Sequence, residues 1–139
     1  MVTAHSQQPR LLAIIELGGY PNFMPRSKRL GLDAEQVGSQ RKAQAALKRR
    51  LPDIIVAEYN FQSDFRDRTS NLETLMARLQ KHPEVRVICI HQPEHQHKLD
   101  ILRARFPVFA ALPLPVREEG MAEALQQAMA AMGSVDQTT

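Results

Sequence analysis

Residues 51–60 read LPDIIVAEYN. Within them Ile54, Ile55, Val56 and Ala57 form a short apolar run, mostly β-branched, directly after Pro52 and Asp53. A run of that length between polar flanks reads as a strand buried on both faces. Such strands belong to parallel sheets covered by helices. Glu58, Tyr59 and Asn60 stand at its carboxyl end. Open α/β sheets build their sites outside the carboxyl ends of their strands, so Glu58 holds a position where chemistry is expected.

Runs of the same kind lie on either side. Residues 11–17, LLAIIEL, make a second buried strand that ends in Glu16 and is broken by Gly18 and Gly19. Residues 85–90, in VRVICI, make a third. Residues 32–37 and 108–112 are weaker, the first an edge strand. Helix signals fall between the strands. A helix over 22–30 admits Pro25 in its first turn and ends at Gly31, a left-handed cap. Ser39 caps a helix over 40–50, with Ala43, Ala46 and Leu47 on one face. Ser70 and Glu73 form a capping box ahead of the stripe Leu72, Leu75, Met76 and Leu79, which His82 and Pro83 stop. A helix follows HQPEHQH (91–97) to about residue 105, with Leu99, Ile101 and Leu102 as core contacts, and an Ala/Met-rich helix covers 121–132. This alternation implies βαβ units. The expected architecture is α/β: a flavodoxin-like, doubly wound, five-stranded parallel sheet in the order 2-1-3-4-5 with five helices. It spans 10–132, with 1–9 and 133–139 as flexible tails.

A chain of 139 residues forms one domain with a real core. It has no apolar run near the roughly 18 residues of a membrane helix, and its start, MVTAHSQQPR, lacks a signal-peptide pattern. A single cysteine, Cys89, excludes an internal disulfide and suits a reducing cytoplasm. Lying within VRVICI, it reads as a small buried hydrophobe. The net charge of +3 comes from 18 basic and 15 acidic residues spread along the chain, with no nucleic-acid-binding motif.

The order and spacing of these elements resemble a receiver domain of bacterial two-component response regulators. The stretch 31–58, GLDAEQVGSQRKAQAALKRRLPDIIVAE, matches the receiver from second to third strand without a gap, and VRVICIH and FAALPLPV follow the family's end. The resemblance covers 11–132 and implies a phospho-acceptor pocket at the carboxyl edge of the sheet. Its residues depart from the family pattern. Receivers carry two acids after the first strand that hold Mg²⁺; here the pair is Glu16 and Leu17. The acceptor aspartate is Glu58, the Ser or Thr ending the fourth strand is His91, and the lysine before the Pro of the last loop is Leu114. Ala111 takes the aromatic switch position, with Phe109 near it. Asn60 lies on the acceptor's loop. Phosphoryl transfer to a carboxylate needs Mg²⁺ and a cation to neutralise developing charge, and Mg²⁺ wants well-placed oxygen ligands. The resemblance therefore implies a degenerate receiver that is no enzyme, binds Mg²⁺ weakly at best and has no other cofactor. Its partners would be signalling or regulatory proteins, with a homodimer through the last two helices and fifth strand, and neither nucleic acid nor membrane.

Each residue has rival readings. Glu58 either mimics a phosphorylated acceptor or sits hydrogen-bonded to nearby backbone N–H groups. A phosphorylation- or metal-dependent site on Glu16, Glu58 and His91 is the alternative function. His91, His95 and His97 with Glu94 offer imidazoles for a metal, yet two helical residues spaced as His95 and His97 point about 200° apart. Lys48, Arg49 and Arg50 either meet an acidic partner or complement a helix dipole. Met121, Met129 and Met132 offer a soft binding surface or simply pack into the core.

Overall fold

The computed structural model describes residues 8–59 and 72–137. Five strands form one parallel sheet: β1 (Arg10–Ile14), β2 (Asp33–Val37), β3 (Ile54–Glu58), β4 (Arg86–His91) and β5 (Ala110–Pro113), in the order β2-β1-β3-β4-β5. Five helices connect or follow them: α1 (Met24–Arg29), α2 (Gln40–Arg49), α3 (Glu73–Leu79), α4 (Gln96–Arg105) and α5 (Glu118–Gln137). A short 3-10 turn, Pro93–His95, precedes α4. The fold class and strand order are those the sequence implies.

The strands' two-residue period sorts the core into two clusters. Leu12, Ile14, Ile55, Ala57, Val87 and Cys89 face α2, α3 and α4. Leu11, Ala13, Ile54, Val56, Ile88 and Ile90 face α1 and α5. Every residue of β3 is buried, because the sheet centre is covered on both sides. The edge strand β2 pairs only with β1 and keeps Asp33 and Gln36 exposed. Asp53 ties the start of β3 to β1 by accepting from Arg10 N–H at 2.8 Å.

Most local signals are obeyed. Gly31 has φ +99°, as a left-handed cap after α1 requires. Ser39 Oγ accepts from Lys42 N–H at 3.1 Å. The stripe Leu72, Leu75, Met76 and Leu79 is buried, but the helix opens at Glu73 with Leu72 as N-cap and no side-chain cap bond rather than from the Ser70–Glu73 capping box, and Ser70 itself lies outside the described residues. Met121 is buried and Met129 and Met132 pack against the second cluster. Cys89 is fully buried, and burial pushes its thiol up to about 12. Arg49 pairs with Glu35 at 3.1 Å.

Four further expectations change. Ile101 is not a core residue: it is 55% exposed, because Leu99 and Leu102 define the buried stripe and Ile101 falls off it. The last helix does not stop at Met132 but runs through Gly133 to Gln137, so 133–137 are helical rather than tail. Strand β1 ends at Ile14, so Glu16 lies in the following bend and not at the strand's end. The fifth strand starts two residues later and ends one residue later than 108–112, at Ala110–Pro113.

Candidate functional site

Parallel strands deliver their carboxyl ends to one edge, and β1, β3 and β4 are adjacent there. Ala57 lies opposite Ile14 and Glu58 opposite Ile90, so the chain after β1 turns over the end of β3. That turn bends through Gly18 and Gly19, at φ +70° and +88°, a region glycine adopts without the Cβ penalty. The bend turns three successive backbone amides toward β3.

Glu58 meets them. Its Oε1 accepts from Glu16 N–H at 3.0 Å and from Leu17 N–H at 2.8 Å. Its Oε2 accepts from Gly18 N–H at 2.8 Å and from the Tyr20 hydroxyl at 2.7 Å. Glu58 is only 5% exposed, so these bonds replace water. Successive backbone N–H groups in such a turn form a nest, an anion-binding concavity. Hydrogen bonds to a charged group contribute on the order of 1.5–3 kcal/mol each. Burial first, then the hydrogen bond to Glu58 and its charge, push the Tyr20 phenol far above its ordinary value, so Tyr20 remains a donor.

A cavity of about 120 Å³ opens beside this cradle. It is lined by Leu17, Gly18, Tyr20, Glu58, Tyr59, Ile90, His91, Gln92 and Leu114. His91 ends β4 and is 1% exposed. Its Nδ1 lies 2.9 Å from the Gln92 carbonyl, which only accepts, and this assigns the proton to Nδ1. Nε2 is buried and finds no partner among the described residues. Tyr59 N–H donates to Ile90 O at 2.7 Å, and its ring meets His95 edge-on at 6.3 Å between centroids. Leu114 N–H donates to His91 O at 2.8 Å, which carries β5's end to the cavity.

Of the residues singled out from sequence, Leu17, Glu58, His91 and Leu114 share this cavity. Glu16 joins through its backbone amide. Asn60 lies outside the described residues. Tyr20 and Gln92 are contributors that side-chain pattern alone did not mark; the available signal for Tyr20 was a glycine pair after a strand, facing an acid. Among the described residues no three His, Cys, Asp or Glu side chains form a metal-ligand group, so Glu16, Glu58 and His91 do not make one, nor do His91, Glu94, His95 and His97. The residues do not fit Mg²⁺. The amides that hold Glu58 turn the positive ends of their dipoles inward, Leu17 supplies no oxygen from its side chain, and both Glu58 oxygens already accept.

No family model matches the chain, and no curated protein matches it in sequence. Solved structures do match. A response regulator receiver domain protein from Clostridium thermocellum superposes with a TM-score of 0.70 at 13% identity, covering 91% of this chain and 98% of that one. The chemotaxis response regulator CheY4 of Vibrio cholerae gives 0.69 at 17%, covering 88% and 99%. A member of a family of streptococcal redox sensors evolved from two-component response regulators gives 0.74 at 16%, covering 94% of this chain and 55% of that one. At these identities the likeness is one of fold: the chain has a receiver-like fold.

Proposed function

We propose that this chain is a receiver-like signalling or regulatory module that acts by binding other proteins and carries out no phosphoryl chemistry of its own. One observation carries the reading: the carboxylate at the acceptor position is consumed by four donors of its own fold. A phosphoryl acceptor needs a free carboxylate oxygen, a metal and a cation near the transferring group. Here the carboxylate is engaged, Leu17 stands where a metal-binding acid would, and Leu114 stands where the lysine would. The same four hydrogen bonds tie the β1–α1 turn to the end of β3.

The test of the reading is incubation of the full chain with acetyl phosphate and Mg²⁺, followed by intact-mass analysis. No phosphoryl adduct is expected. A covalent phosphoryl group mapped to Glu58 would overturn the reading.

A further inference from the structure

The edge opposite the cavity has a different character. In right-handed βαβ units the helices run antiparallel to the strands, so helix carboxyl ends gather at the amino-terminal edge of the sheet. α2, α3 and α4 form one layer over a common core cluster. Arg78 Nη1 on α3 donates to Gln44 Oε1 on α2 at 2.7 Å, which makes these two helices neighbours. The ends of the three helices carry Lys48, Arg49 and Arg50, then Lys81, then Arg103 and Arg105, all exposed.

A helix dipole accounts for a cation in each last turn, at about 0.3–1 kcal/mol. It does not account for three exposed cations at the end of α2 and two at the end of α4, in the same layer as Lys81 after α3. Part of the charge is taken up locally: Arg49 pairs with Glu35 at 3.1 Å, and Arg105 lies 5.1 Å over the Phe106 ring. The row as a whole keeps a surplus of positive charge.

We infer that this edge is a docking surface for an acidic segment of a partner protein. The inference rests on the reading of the chain as a binding module, but not on the state of the cavity. Helices packed about 9 Å apart give a row roughly 20 Å long, and an extended chain rising about 3.3 Å per residue covers it with roughly six residues. The surface suits a short acidic peptide better than a nucleic acid. Asp33, Glu35 and Glu84 lie along the same edge and keep its positive stretches short, which suits a segment of about six residues better than a longer phosphate backbone. Among the described residues no aromatic side chain is exposed to stack on a base.

The experiment titrates the ¹⁵N-labelled full chain with an octaglutamate peptide at low salt, and in parallel with a duplex oligonucleotide. Saturable shifts are expected at residues 48–50, 81 and 103–105. Arg50→Glu with Lys81→Glu is expected to weaken the peptide about tenfold or more, whereas Lys28→Glu with Arg29→Glu, on α1 in the other layer, changes it less than about twofold. All four side chains are exposed, and circular dichroism verifies that both variants fold. The inference is overturned by an absence of saturable peptide binding, by peptide binding indifferent to the Arg50/Lys81 pair, or by tighter binding of the duplex. Failure here leaves the acetyl phosphate result untouched, so the two readings fall separately.

Discussion

On the β1 side of the cavity, three amides and a phenol converge on one carboxylate. On the β4–β5 side, a buried imidazole nitrogen has no partner among the described residues, and the side chains of Ile90 and Leu114 supply only carbon. One wall is built around a carboxylate whose oxygens and donors satisfy one another and stabilise the turn. The other is largely apolar, and its His91 Nε2, buried and unsatisfied among the described residues, carries a cost.

Substitutions that separate the walls should differ in size and sign. The largest effect belongs to Glu58→Ala, which leaves three amides and the Tyr20 hydroxyl facing a void. A loss of about 3 kcal/mol is expected from the unsatisfied donors, read as a lower urea midpoint. Glu58→Gln keeps the shape but turns one acceptor oxygen into a donor beside other donors. About 2 kcal/mol is expected by the same argument. Tyr20→Phe removes one charge-assisted bond and keeps the packing, for about 1.5 kcal/mol. His91→Leu gives the smallest change, within about 1 kcal/mol either way, because the lost Nδ1 bond is offset by relief of the buried Nε2. A loss of several kcal/mol from His91→Leu would mean the two walls are not different in kind.

The pH dependence sharpens the same contrast. The Tyr20 phenol is raised above its unfolded value, chiefly by burial and then by Glu58. Its contribution to stability is therefore complete below the ordinary tyrosine range, near pH 10, and is lost as pH rises above it. A spectrophotometric titration should show Tyr20 resisting ionisation in the folded chain up to alkaline unfolding. In Glu58→Gln the phenol should ionise at lower pH than in the parent chain.

Much of the fold was legible because its causes are local or periodic. β-branched runs, Ser39 before α2 and Gly31 after α1 each report their own backbone geometry. The strand order followed from alternation of strands and helices, and the two-residue period sorted the core. Ile101 was misplaced because residue type outvoted helical phase. Residues 133–137 were misplaced because Gly133 and Ser134 look like a stop, although the helix continues. At the site, Glu58, His91, Leu17 and Leu114 were recognisable as side chains at strand ends. The cradle was only half visible. A carboxylate satisfied by backbone N–H groups was one of two readings of Glu58, but which amides would serve depends on the left-handed bend at Gly18 and Gly19. Backbone donors have no residue type to read, and Tyr20 acquires its role only when that bend brings it to Glu58.

The central claim is that the β1–α1 turn offers donors to an anion where a receiver offers acids to a cation. A Mg²⁺ titration of the ¹⁵N-labelled chain, followed at the amides of Glu16, Leu17 and Gly18, tests it most directly. The account predicts that these amides keep their hydrogen-bonded shifts, with no saturable change through the millimolar range. A saturable Mg²⁺-dependent shift at all three, abolished in Glu58→Gln, would contradict it.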